Sequence, residues 1–185
     1  MKHAEVIESI EKAQAWGIET GNLSFSIEKM KQRKDDVIQR LRQGIAYLLN
    51  QGKIDLYEGF GTVEEEKVIK IETKEKEERI QAERIIIATG STPVVPPIEG
   101  LASVDFDTSD TIFDIQEIPK SVVIIGGGVI GVEFACIFAS LKAEVTVIEA
   151  AERIIPSEDG DASKLLNKLL KKKGIRFYTS TKVTK

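Results

Sequence analysis

Val122-Val-Ile-Ile-Gly-Gly-Gly-Val-Ile-Gly-Val-Glu133, followed by Glu144-Val-Thr-Val-Ile-Glu149, is the stretch on which the fold turns. The β-branched run Val122–Ile125 reads as a strand buried on both faces, as in a parallel sheet. It runs straight into Gly126-x-Gly128-x-x-Gly131 and then a helix. Gly126 permits the tight turn, Gly128 lets the backbone approach a pyrophosphate, and Gly131 lets helix and strand pack closely. With Gly127, Val129, Ile130, Val132 and Glu133, these glycines form a candidate NAD loop. The phosphates would rest on the free N–H groups and positive dipole end of the helix beginning near Val129. Glu149 falls 23 residues after Gly126, at the end of the next strand. A carboxylate there accepts hydrogen bonds from the adenosine ribose hydroxyls. Its charge also repels a 2′-phosphate, so the expected preference is NAD over NADP.

The totals narrow the rest. With 185 residues, 42% of them hydrophobic and 30% charged, the chain can build one or two cores. A net charge of −4 argues against a nucleic-acid partner, which needs a basic face. No apolar run approaches the roughly 20 residues of a membrane span, and the N-terminus lacks the apolar core of a signal peptide. The single cysteine, Cys136, leaves no internal disulfide framework and points to the cytoplasm. With one histidine, His3, no His/Cys metal cluster is expected.

Outward from the glycine loop, the pattern is α/β. A helix is expected over 4–16, carried by Val6, Ile7, Ile10 and Ala13 and stopped at Gly17. Ser24 or Ser26 would cap a second helix to about Asn50, striped by Met30, Val37, Leu41, Ile45, Leu48 and Leu49. Short strands follow at Ile54–Tyr57, Val68–Ile71 and Arg79–Gln81, separated by charge-dense turns that read as solvated. Arg84–Gly90 reads as another buried strand, closed by a Pro93–Gly100 connector. After Glu149, a helix over 161–173 presents Leu165, Leu166, Leu169 and Leu170 on one side, with Gly174 ending it before a strand at Ile175–Tyr178. The second half is thus β-α-β-α-β, half of a Rossmann-like doubly wound parallel sheet. The first half adds a small antiparallel meander. The expected division is 1–112 and 113–185, two incomplete nucleotide-binding domains.

Four blocks in this order resemble the FAD-dependent pyridine nucleotide–disulfide oxidoreductases: Tyr57-Glu-Gly-Phe-Gly61, Ile85-Ile-Ile-Ala-Thr-Gly-Ser91, the Val123–Glu133 loop, and Ala143–Glu149. They are most similar to the branch that oxidises dihydrolipoamide in the 2-oxoacid dehydrogenase and glycine cleavage complexes. The resemblance spans residues 3–185, well under half of such an enzyme, so the chain reads as an internal fragment. It implies that 1–112 is part of an FAD domain and 113–185 part of an NAD domain. It also implies that Gly61 meets the FAD adenine and that Thr89, Gly90 and Ser91 pass beside the flavin nucleotide. From the residues alone, that turn reads equally as a plain strand end. Val183 resembles a position contacting the NAD adenine. Glu133 resembles a glutamate paired with a lysine near the flavin. On an otherwise apolar helix its carboxylate is expected to be buried, or else to be a second-turn acid favoured by the helix dipole. Cys136 reads as a small core residue. Lys142 stands where the family usually has glycine. If its backbone is left-handed, that costs on the order of 1 kcal/mol.

The resemblance further implies a homodimeric parent working within a 2-oxoacid dehydrogenase complex, moving electrons from dihydrolipoamide through a disulfide and FAD to NAD. Other members, such as mercuric reductase or an NADH-dependent disulfide reductase, and a non-catalytic nucleotide-binding module stay open. Disulfide cycling needs two thiols and a histidine base, and this chain has one cysteine and a histidine in its first helix. The isolated chain is therefore expected to purify colourless, without FAD, and to form no NADH from dihydrolipoamide. Uncovered apolar faces, including Ile85–Ile87 and Ile175–Phe177, should make it self-associate. A yellow preparation, measurable turnover, or a compact monomer in light scattering would overturn the respective expectation.

Overall fold

The computed structural model describes residues 2–185. In chain order its main elements are α1 (Lys2–Ala13), α2 (Ile27–Gln51), β1 (Phe60–Val63), β2 (Val68–Glu72), β3 (Glu77–Gln81), β4 (Ser121–Ile125), α3 (Val129–Ser140), β5 (Glu144–Ile148), α4 (Gly160–Lys172) and β6 (Arg176–Tyr178). They form an α/β fold with one parallel and one antiparallel three-stranded sheet, as the sequence pattern leads one to expect. Two compact units result: Met1–Gln32 with Pro93–Lys185, and Arg33–Thr92. No helix among the described residues is long and apolar enough to cross a membrane.

Local chemistry sets the element ends. Ser26 caps α2, its Oγ accepting from the Lys29 N–H at 3.3 Å. Asp159 caps α4 by accepting from the N–H groups of Asp161 and Ala162 at 2.9 and 3.2 Å. Those two donors, that of Ala162 foremost, hold its carboxyl below the usual carboxylate value. Gly17 and Gly174 end their helices at φ +78° and +85°, where glycine carries no Cβ penalty.

In the first unit β4, β5 and β6 lie side by side in that order, all parallel. Val145 and Val147 point to a face covered by Val132, Ala135 and Phe138 of α3 and Leu170 of α4. Each fully buried side chain of this kind contributes about 1.5–3 kcal/mol. The opposite face is open. Val123 and Ile125 are 63% and 47% exposed, so the expected two-sided burial of this strand is not met. Helices cover one face of the sheet within this chain, and β4 therefore alternates although its sequence does not. On α4 the inward positions are Ser163, Leu166 and Leu170, while Leu165 and Leu169 lie on the exposed flank. Ile175 is buried and Phe177 partly so, which corrects the exposed face expected at Ile175–Phe177.

Helix α1 lies on α3 through buried Ala4 and Ile7. Its acids pair with cations, Glu8 with Lys173 and Lys12, and Glu11 with Lys142. The Lys173 hydrogen bond, first among the causes, holds the Glu8 carboxyl below its ordinary value. That pairing stabilises the fold above the ordinary carboxylate range and is lost as pH falls through the lowered value. Its partial exposure keeps the contribution small.

In the second unit β1, β2 and β3 form the antiparallel meander, with Gly61 opposite Ile71 and Ile69 opposite Ile80. The strand expected at Ile54–Tyr57 is absent, and pairing begins at Phe60. Arg84–Gly90 is not a strand either. Ile86 and Ile87 are 90% and 76% exposed. β-Branched residues favour a strand only where a neighbouring edge accepts their ladder hydrogen bonds, and among the described residues none pairs with this segment. The α2 stripe likewise has no buried residue.

Lys142, just past α3, adopts φ +71°. Lys142→Gly is expected to raise the unfolding free energy by up to about 1 kcal/mol, and Lys142→Val to lower it by at least that much. Urea titrations of the two variants check both signs.

Candidate functional site: a dinucleotide loop at the end of a parallel sheet

Strand β4 ends by handing its chain to the glycine loop, and the three glycines do different things. Gly126 turns at φ +110°, a conformation that strains any residue with a Cβ, and its N–H donates to the Ile148 carbonyl at 2.8 Å. A Cβ on Gly131 would sit 2.1 Å from the Gly126 carbonyl oxygen, so no other residue fits where α3 crosses the loop. A Cβ on Gly128 would meet nothing within 4 Å. Gly128 faces open space, at the N-cap of a helix that no side chain caps. Backbone donors at a helix start with room before them suit an anion.

The acid sits where the spacing places it. Glu149 is partly buried; its Oε2 accepts from the Gly127 N–H and its Oε1 from the Ala151 N–H, both at 2.6 Å. A Cβ on Gly127 would lie 3.0 Å from the Glu149 Cβ, so Gly127 is small for the sake of this contact. A carboxylate has about four acceptor positions, and two amides leave one free on each oxygen. The carboxylate is thus oriented by the protein and still able to accept from the two hydroxyls of a ribose.

Beyond β6 the chain runs back beside this acid. The Thr181 N–H donates to the Glu149 carbonyl at 3.0 Å and the Ser180 N–H to that of Ala151 at 2.8 Å. Val183, half-buried, follows two residues later. On the other side of the loop, a cleft is lined by Val94, Phe106, Val123, Ile125, Gly128 and Ile130. The linker that forms one wall is held to α3 by Phe113 and Phe134, ring centroids 5.6 Å apart. Gly126 to Val132, Glu149 and Val183 therefore belong to one unit and one end of one sheet.

Glu133 is exposed, which corrects the expectation of a buried carboxylate. Val132, Ala135 and Phe138 take the inward positions of α3, and Glu133 lies one residue off that face. Cys136 packs at the edge of the core, and burial pushes its thiol pKa up, away from thiolate chemistry. Gly61 lies in β1 with ordinary room around it, and Thr89, Gly90 and Ser91 lie in exposed irregular chain.

Two residues that sequence reasoning passed over also bear on the loop. The Ile155 N–H donates to the Gly127 carbonyl at 2.7 Å, and the Ser163 hydroxyl to the Ile154 carbonyl at 2.7 Å. The only signal was a pair of isoleucines in a polar loop and a serine on an apolar helix face.

Comparison with known proteins agrees with this geometry. The family model described as pyridine nucleotide-disulphide oxidoreductase matches residues 3–185. A dihydrolipoyl dehydrogenase of Bacillus subtilis is 39% identical over 99% of this chain and 40% of its own length. One from Acholeplasma laidlawii is 37% identical over 100% of this chain and 55% of its own. The chain thus spans about half the length, or less, of these relatives. Among solved structures, a Cu(II) complex of a mutant of the HOCl-induced flavoprotein disulfide reductase RclA from Escherichia coli superposes with a TM-score of 0.74. It is 29% identical, over 96% of this chain and 38% of that one. By the extent of the match and the glycine loop it contains, the chain belongs to the pyridine nucleotide-disulphide oxidoreductase family.

Proposed function

We propose that this chain carries the dinucleotide site of a flavoprotein disulfide oxidoreductase and takes NAD at Gly126–Glu133 and Glu149, with Val183 toward the adenine. The observation that carries the reading is the Glu149 carboxylate, held by two backbone amides with one acceptor position left on each oxygen. Bound NAD supplies a two-electron hydride acceptor. The residues of this chain bind and orient it: the α3 amides hold the pyrophosphate, Glu149 the ribose, and the open space at Gly128 admits the backbone contact.

The parent activity we favour is dihydrolipoamide dehydrogenase, passing electrons through a disulfide and FAD to NAD. The relatives named dihydrolipoyl dehydrogenase, which match nearly the whole chain, support this. On this reading 1–112 contributes Gly61, Thr89, Gly90 and Ser91 to an FAD domain, and 113–185 contributes to the NAD domain. The parent is a cytoplasmic homodimer within a 2-oxoacid dehydrogenase complex, and this chain alone is inactive. The likeness to RclA supports a second reading, another disulfide reductase of the family. Turnover of dihydrolipoamide with NAD by a full-length enzyme containing this segment separates the two.

By calorimetry, NADH should bind more tightly than NADPH by about fivefold or more, since like charges about 4 Å apart repel by about 1 kcal/mol even in bulk water. Glu149→Ala should narrow that gap, and equal affinities in the wild-type chain would sink the assignment. The glycines divide the loop further. Gly128→Ala should leave thermal stability near that of the wild type and weaken NADH binding. Gly131→Ala should lower stability by about 2 kcal/mol or more, because its Cβ meets backbone rather than a flexible side chain.

A further inference from the structure

Gly127 has both backbone groups engaged by the protein. Its N–H donates to Glu149 Oε2, and its carbonyl accepts from the Ile155 N–H at 2.7 Å. Ile155 reaches that carbonyl at φ +41°, a region where a β-branched residue is a genuine outlier. Such a conformation persists only where the surroundings over-determine it. Here they do. Ile154 is fully buried and Ile155 is 8% exposed. The Ile154 carbonyl between them accepts from Ser163 Oγ at 2.7 Å, and Ser163 is 1% exposed. Ser163 in turn lies in the first turn of α4, whose start is fixed by the Asp159 cap.

The hydrogen bonds therefore run in series from the start of α4 to the ribose acid: Ser163 to Ile154, Ile155 to Gly127, Gly127 to Glu149. We propose that Ser163 is a positioning residue for the dinucleotide. By holding the Ile154–Ile155 turn in its left-handed conformation, it fixes the plane of the Gly127 peptide. Through that peptide it sets both the direction of the amides that follow and the orientation of the Glu149 carboxylate. An alanine at this position leaves a buried carbonyl unpaired and removes the constraint on Ile155. The turn then relaxes toward negative φ and withdraws its N–H from Gly127. The inference rests on the NAD reading of the loop.

The test combines NADH binding by calorimetry with amide hydrogen exchange on the wild-type chain, Ser163→Ala and Leu170→Ala. Leu170 is 3% exposed in the same helix and its side chain makes none of the three hydrogen bonds in the series, so it reports a purely structural loss. Ser163→Ala is expected to weaken NADH binding about tenfold and to speed exchange at Ile155 and Gly127 by a similar factor, with Val145 and Val147 unchanged. Leu170→Ala is expected to lower the melting temperature at least as much with wild-type NADH affinity. NADH should also slow exchange at Ile155 in the wild-type chain, a measurement that stands even if Ser163→Ala does not fold. Undiminished affinity in Ser163→Ala, an equal loss in Leu170→Ala, or Ile155 exchange indifferent to NADH would overturn the proposal while leaving the NAD reading intact. Failure of the wild-type chain to bind NADH would overturn that reading and the proposal with it.

Discussion

The contact between Gly131 and the Gly126 carbonyl is the constraint on which the rest of the site depends. It lets α3 start within a few residues of the end of β4, close enough that a single Cβ would occupy the space of the carbonyl oxygen. That closeness aims the helix start, with its unpaired N–H groups, across the end of the sheet. It also leaves Gly127 beside the end of β5, where Glu149 can reach its amide. Moving the helix outward by the width of a methyl group would separate the N–H groups of the helix start from the Glu149 carboxylate. The three glycines are thus one geometric solution, each with its own part: backbone conformation at Gly126, open space at Gly128, and close packing at Gly131.

The parallel sheet shows how far one chain can satisfy its own hydrophobic pattern. β4 is apolar at every position from Val122 to Ile125, yet only Val122 and Ile124 meet the helices. The other face is left open, together with the stripe of α2 and the Ile86–Ile87 segment. These surfaces carry the composition of buried elements without the cover. The family relationship supplies a context, since the relatives matched are about twice as long or more. Residues 84–90 pair with no strand among the described residues, so their β-branched side chains have no ladder to support.

Glu149 illustrates how an acid can be satisfied within the fold and still keep acceptor capacity. Two amides at 2.6 Å satisfy it within the fold and fix its plane. Because a carboxylate accepts several hydrogen bonds and donates none, this does not exhaust it.

The sequence by itself determined the elements whose hydrogen bonds are local or whose partners lie one βαβ step away. These are α1 with its Gly17 stop, α2 with its Ser26 cap, the glycine turn, α3, and Glu149 at the end of the next strand. In each case the spacing of a few residues carries the geometry, because a helix or tight turn closes on itself. The tertiary structure alone decided which apolar residues are covered. Burial depends on what packs opposite, and period and propensity do not encode that. Glu133 turned out exposed, Ile175 buried, β4 one-sided and 84–90 unpaired for that reason. It alone also brought Ser163 and Ile155 to the glycine loop. The Ile155–Gly127 link runs through backbone atoms that every residue possesses, and Ser163 joins it by a hydroxyl whose acceptor, the Ile154 carbonyl, no spacing in the chain marks.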